Sequence, residues 1–161
     1  MKKLKLYIDT SVLGGLFDAE DTARVNTAKG LISAVKNNSY EGFISFLTLE
    51  EISKAPPEIM NHLKDVIRDA QVTVLEENED CIELADAYIK SGAIPTKYRD
   101  DARHIAIGVH HDIDFIVSWN YKHMVNIQVK RLITSVNLKM GYGPIEIVPP
   151  EEVAGYGEME I

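Results

Sequence analysis

Short apolar runs alternate with helix-patterned stretches along the whole chain, and few architectures accommodate that rhythm. The runs are Leu4–Ile8, Gly42–Ser45, Val72–Leu75, Phe115–Ser118 and Ile145–Val148. Each is brief, rich in β-branched or aromatic residues and bounded by turn formers, the pattern of a buried strand. Between them, Val12–Asp18, Ala23–Lys36, Leu47–Lys54, Glu58–Ala70, Glu77–Ser91, Ala102–His111 and Val125–Met140 read as helices. Ser11 is placed to cap the first, Asp21-Thr22 the second; Pro57 suits a first helical turn and Gly92 a helix end. Strands separated by helices predict a three-layer α/β/α domain around a parallel sheet of about five strands. A chain of 161 residues holds one such domain. We expect it over residues 1–148, with 149–161 as an irregular acidic tail.

An apolar content of 45% is ordinary for a soluble protein, and no run is long enough to span a bilayer. The start carries Lys2, Lys3 and Lys5, but its apolar segment is too short for a signal peptide and contains Asp9. The expected location is the cytoplasm. The single cysteine, Cys81, has no partner for an internal disulfide and, beside Ile82 and Leu84, reads as a buried structural thiol. The net charge of −8 argues against a protein that coats nucleic acid by charge. It leaves room for an enzyme that reaches nucleic acid through bound cations.

Acidic residues recur where strands end. Asp9 follows the first strand, at a position where a carboxylate is costly to bury alone. Glu50 or Glu51 lies on the helix after the second strand, Asp100 or Asp101 opens the helix before the fourth, and Asn120 follows the fourth. If the first and fourth strands are neighbours, all four positions converge at the carboxyl edge of the sheet, where α/β folds bind ligands. Gathered carboxylates repel unless protonated or bound to metal, and hard oxygen ligands favour Mg²⁺ or Mn²⁺. Such ions suit phosphodiester hydrolysis.

Four segments also resemble the ordered motifs of PIN domains, most closely VapC-type toxins. They are Tyr7-Ile8-Asp9-Thr10-Ser11-Val12-Leu13, Ser45-Phe46-Leu47-Thr48-Leu49-Glu50-Glu51-Ile52, Asp100-Asp101-Ala102-Arg103-His104-Ile105-Ala106 and Phe115-Ile116-Val117-Ser118-Trp119-Asn120. The resemblance implies a metal-dependent ribonuclease with strand order 3-2-1-4-5. It carries the family's acids onto Asp9, Glu51 and Asp101: Glu51 because it directly precedes Ile52, Asp101 because it precedes Ala102. Ser11 matches a hydroxyl that supports the first acid, and it is also a candidate for contact with the substrate. At the fourth position the family often has Asp and this chain has Asn120, which loses the charge but keeps an oxygen that can bind the metal or its water, so it is expected to assist the three acids. The resemblance also implies RNA as substrate, a homodimer and a cognate antitoxin as partner.

Lys97, Arg99, Arg103 and Lys122 flank the expected crevice and are candidates for the RNA backbone, which needs cations. Trp119 suits either stacking on a base or packing at the sheet edge. His104, three residues after Asp101, reads as a packed or hydrogen-bonded core histidine. His110-His111 end the same helix. With no cysteine cluster and no His pair of ligand spacing, zinc is not expected. The rival to a nuclease is a PIN-like module that binds RNA or protein without turnover. A phosphatase of the haloacid dehalogenase type fits poorly, because it needs a second Asp where Ser11 stands.

Overall fold

The computed structural model describes residues 2–153. Five parallel strands form one sheet: β1 (Lys5–Ile8), β2 (Glu41–Ser45), β3 (Thr73–Leu75), β4 (Phe115–Val117) and β5 (Glu146–Val148), in the order β3-β2-β1-β4-β5. This is the expected α/β sheet and the expected order. Because β2 and β4 both pair with β1, the strand order reverses beside it, and the carboxyl ends of β1 and β4 stand next to each other. Asp9 N–H donates to the Val117 carbonyl at 3.0 Å, extending that pairing past the end of β1.

Side chains alternate across the strands and are buried on both faces, as a sheet covered by helices requires. Leu6, Ile8, Ile44, Val117 and Val148 face a core shared with α1 (Thr10–Gly14), α2 (Thr22–Lys36) and α4 (Pro57–Ala70). Tyr7, Phe43, Leu75, Ile116 and Ile147 face the opposite core, built with α5 (Glu79–Lys90), α6 (Arg99–His110) and α7 (Ile127–Lys139). The short α3 (Phe46–Ile52) continues directly from β2. Among the described residues, no helix is long and apolar enough to cross a membrane.

Capping residues set several boundaries away from the expected ones. Asp9, rather than Ser11, caps the first helix: its side chain accepts from Ser11 N–H, so the helix begins at Thr10, as soon as the strand ends. That helix stops at Gly14 and a 3-10 turn covers Gly15–Phe17. Ser45 and Thr48 form a reciprocal capping box that starts α3 at Phe46. Asn78 and Asn126 cap α5 and α7. The helix read from Ala102 begins at Arg99, which puts Asp100 and Asp101 inside its first turn.

The chain after β5 is not irregular at its start. Residues 150–153 are helical, Val153 is buried in the core beside α1 and α2, and Glu151 accepts a hydrogen bond from Trp119 Nε1 at 2.7 Å. The rest of the expected acidic tail, 154–161, lies outside the described residues.

Candidate active site

Asp9 sits where β1 becomes α1 and is only 5% exposed. Its Oδ2 accepts from Ser11 Oγ at 2.6 Å and Ser118 Oγ at 2.9 Å, besides Ser11 N–H. Both hydroxyls accept in turn from the chain after β4: Ser11 Oγ from Trp119 N–H and Ser118 Oγ from Asn120 N–H. Asp9 is thus the hub that ties the ends of β1 and β4 together. Ser11 spends its hydroxyl on this support.

Glu51 reaches the same edge from α3. Its Oε1 accepts from Thr10 Oγ1 and from His104 Nε2, each at 2.6 Å. Partial burial by itself would raise its pKa. The hydrogen bond and charge of His104, with help from Thr10 and Lys54, reverse that, and Glu51 lies below the usual glutamate value. Asp101 comes from the first turn of α6, and its Oδ2 accepts from Asn120 Nδ2 at 2.9 Å. Here burial and the negative charge of Asp9 prevail over the Asn120 hydrogen bond, and the carboxyl pKa rises to about 6.

His104 lies one turn after Asp101 and is 1% exposed. Its Nδ1 shares a 2.5 Å hydrogen bond with Tyr7 Oη, and its Nε2 lies 3.9 Å from Asp9 Oδ1 as well as on Glu51. Burial disfavours the imidazolium. The Tyr7 oxygen, the Glu51 hydrogen bond and the charges of Asp9 and Glu51 outweigh it, so the pKa stands well above its ordinary value. Tyr7 is anchored behind it on Ser45 Oγ at 2.8 Å. A buried imidazole therefore stands between two of the acids.

The two ambiguities of spacing are resolved by direction. Glu50 is exposed and lines a shallow groove with Glu76, Glu77 and Arg103, facing away from Asp9. Asp100 is exposed and paired with Arg103 at 3.0 Å. Only Glu51 and Asp101 approach Asp9. Asn120 joins them, but its amide is turned: Oδ1 accepts from His123 N–H at 3.3 Å, which leaves Nδ2 to face Asp101. Trp119 packs. Its ring is buried against Gly15, where a Cβ would run into it, with Arg24 over its face at 4.8 Å.

The four cations divide. Arg103 forks onto both oxygens of Glu77 at 2.6 and 2.8 Å, and Arg99 pairs with Asp86 at 2.5 Å. Lys97 lies over the Tyr98 ring, Tyr98 stacks on His123 at 3.3 Å between centroids, and Lys97 and Lys122 both bear on His123. Neither lysine has a carboxylate partner among the described residues. The pairs with Glu77 and Asp86 were invisible in sequence, since those acids precede their arginines by many residues; only the Arg103–Asp100 pair has local helical spacing. Thr10, Tyr7 and Ser118 were also missed as supports; each adjoins or lies within a quoted motif.

The donor set suits a hard divalent cation. Asp9, Glu51 and Asp101 each have one oxygen held by protein donors, and among the described residues no hydrogen bond reaches Glu51 Oε2 or Asp101 Oδ1. Oxygens of the three do not all lie within 4.8 Å of one another as they stand, and His104 stands between Asp9 and Glu51.

No protein-family model matches the chain, and no curated protein is similar to it in sequence. A chain in the crystal structure of VapBC2 from Rickettsia felis bound to a DNA fragment from their promoter is similar in fold. The TM-score is 0.57 at 15% identity, over 90% of this chain and 98% of that one. The likeness is one of fold, and it agrees at that level with the resemblance of the motifs to VapC-type PIN domains.

Proposed function

We propose that this protein is a divalent-metal-dependent ribonuclease of the PIN type, acting as the toxin of a toxin–antitoxin pair. The observation that carries the reading is the approach of Asp9, Glu51 and Asp101, from three separate segments, at the strand-order reversal between β1 and β4. The shared fold with a chain of VapBC2 supports the same family and the antitoxin as partner. These three acids would hold Mg²⁺ or Mn²⁺, with Asn120 beside them. When bound, such an ion supplies an activated water and charge neutralisation on the phosphate.

The chain's own residues do the rest. Ser11 and Ser118 fix Asp9 Oδ2, which leaves the other oxygen, 3.9 Å from His104 Nε2, as the one a cation would take. Thr10 and His104 fix Glu51, and His104 is a positioning residue whose two ring nitrogens are committed to Glu51 and Tyr7. Asn120 orients Asp101. Lys97 and Lys122, free of carboxylates, are the better candidates for RNA phosphates; Arg99 and Arg103 would first have to leave their partners. A homodimer follows from the family resemblance and is checked by light scattering.

Asp9→Asn tests the assignment. It should abolish Mn²⁺-dependent cleavage of RNA while circular dichroism stays that of the wild type. Wild-type cleavage by the folded variant would end the nuclease reading. One observation favours a second reading, binding without turnover: Asn120 replaces the family's frequent Asp and offers an N–H to Asp101. Metal binding with no cleavage of any RNA by the wild type would select it.

A further inference from the structure

On the side of the molecule built from α5 and α6, a second set of ligand-bearing side chains meets, independent of the acidic crevice. Cys81 lies in the first turn of α5 and is fully buried; His110 ends α6 and His111 follows it, both half-buried. One ligand atom from each of the three lies within 4.8 Å of the others. Their spacing in sequence announces nothing, and only the packing of α5 on α6 unites them.

Hydrogen bonds set the state of each ring. The Glu76 carbonyl can only accept, so His111 Nε2 carries the proton of that 2.8 Å bond and Nδ1 is left unprotonated in the neutral ring. A ring N–H donated to a backbone carbonyl is the outer contact that commonly orients a metal-bound histidine. Asn78 commits its Oδ1 to Cys81 N–H as the cap of α5, so its amide donates through Nδ2 to His110 Nε2 at 2.9 Å. His110 Nδ1 lies 3.5 Å from Tyr142 Oη. His110 Nε2 is therefore the unprotonated nitrogen of the neutral ring, and it is freed for a cation by the loss of the one hydrogen bond from Asn78. Glu77 and Asp80 place negative charge around Cys81, and Asp80 and Glu83 do so around Tyr142.

We propose that Cys81, His110 and His111 form a metal site for a Zn²⁺-class cation, clamping α5 to α6. One sulfur and two imidazole nitrogens select a borderline-soft ion over Mg²⁺ or Mn²⁺, so the site differs in chemistry from the all-oxygen crevice. Three protein ligands leave a fourth position for water. Bonding distance would require the half-buried rings to close on the buried sulfur from the present separations of up to 4.8 Å. The proposal does not rest on the nuclease reading.

The test is a Co²⁺ titration of the reduced, full-length protein in excess Mg²⁺, followed by absorption, with Zn²⁺ affinity by calorimetry. One Co²⁺ per chain should bind with a thiolate-to-metal charge-transfer band, and Zn²⁺ should displace it. Cys81→Ser should lose the band. His111→Ala should weaken Zn²⁺ by more than about tenfold, since even an outer contact is worth about that much. Asp9→Asn should leave both readouts unchanged. Binding without the band, equal Zn²⁺ affinity in His111→Ala, or loss of the band in Asp9→Asn would overturn the site. If Cys81→Ser fails to fold, His111→Ala, at the half-buried end of a helix, carries the test with the wild-type spectrum.

Discussion

Two residues at the crevice have consequences for stability that can be signed. Asp101 has a folded-state pKa of about 6, raised by burial and by Asp9, against an ordinary value of 3.8. A raised carboxyl pKa means the folded state holds the proton more tightly than the unfolded chain. Ionising Asp101 therefore destabilises the fold as pH rises from about 4 through about 6, and the full penalty applies above that. Asp101→Asn removes it and can still accept from Asn120. In chelator at pH 7.5 the variant should be more stable by about 1 kcal/mol, well under the ~3 kcal/mol of a two-unit shift, because the group is partly exposed and screened. Urea melts at several pH values check this, and the gap should close by pH 4. Asn120→Asp makes the opposite point. It sets a carboxylate where an N–H now faces Asp101. The variant should be less stable than the wild type in chelator and gain more from Mn²⁺, so the sign of the difference reverses between the two buffers. Melting curves without a reversal would place Asn120 outside the metal site.

At the scale of elements, the crevice depends on how closely α1 and the chain after β4 approach. Trp119 fills that contact: its ring lies on Gly15, its Nε1 donates to Glu151, and Arg24 covers its outer face. Gly15→Ala forces a methyl into the ring and should cost about 1–3 kcal/mol, read as a lower urea midpoint. Strands and helices were legible because both faces of the sheet are buried, so apolar runs stand out against amphipathic helices. The helix starts were less so. Asp9, Asn78 and Asn126 cap by accepting backbone N–H groups, and sequence offered several such residues near each start. The strand order came from resemblance to a family, since periodicity says which segments are strands and not which are neighbours. Asp9 was legible as a candidate because it ends a strand, Glu51 and Asp101 because they lie on helices that flank the sheet. The direction that separates Glu51 from Glu50 is a matter of helix phase, which spacing alone left open. His104 was read as a core histidine, but its link to Glu51 depends on tertiary approach, as does the meeting of Cys81 with His110 and His111.

For the whole molecule, a net charge of −8 and a crevice of acids oppose the binding of the proposed RNA substrate, for which the patch around Lys97, Lys122 and His123 is the candidate contact. A bound cation would supply the missing attraction and relieve repulsion among Asp9, Glu51 and Asp101 at once. The central claim is thus that these three acids form one divalent-cation site, and stability measures it without any assumption about the RNA. A cation that binds only the folded cluster raises the melting temperature by mass action. With millimolar Mn²⁺ or Mg²⁺ the wild-type transition should move upward from its value in chelator, and Asp101→Ala should shrink that shift. A wild-type melting temperature that neither ion moves would contradict the claim.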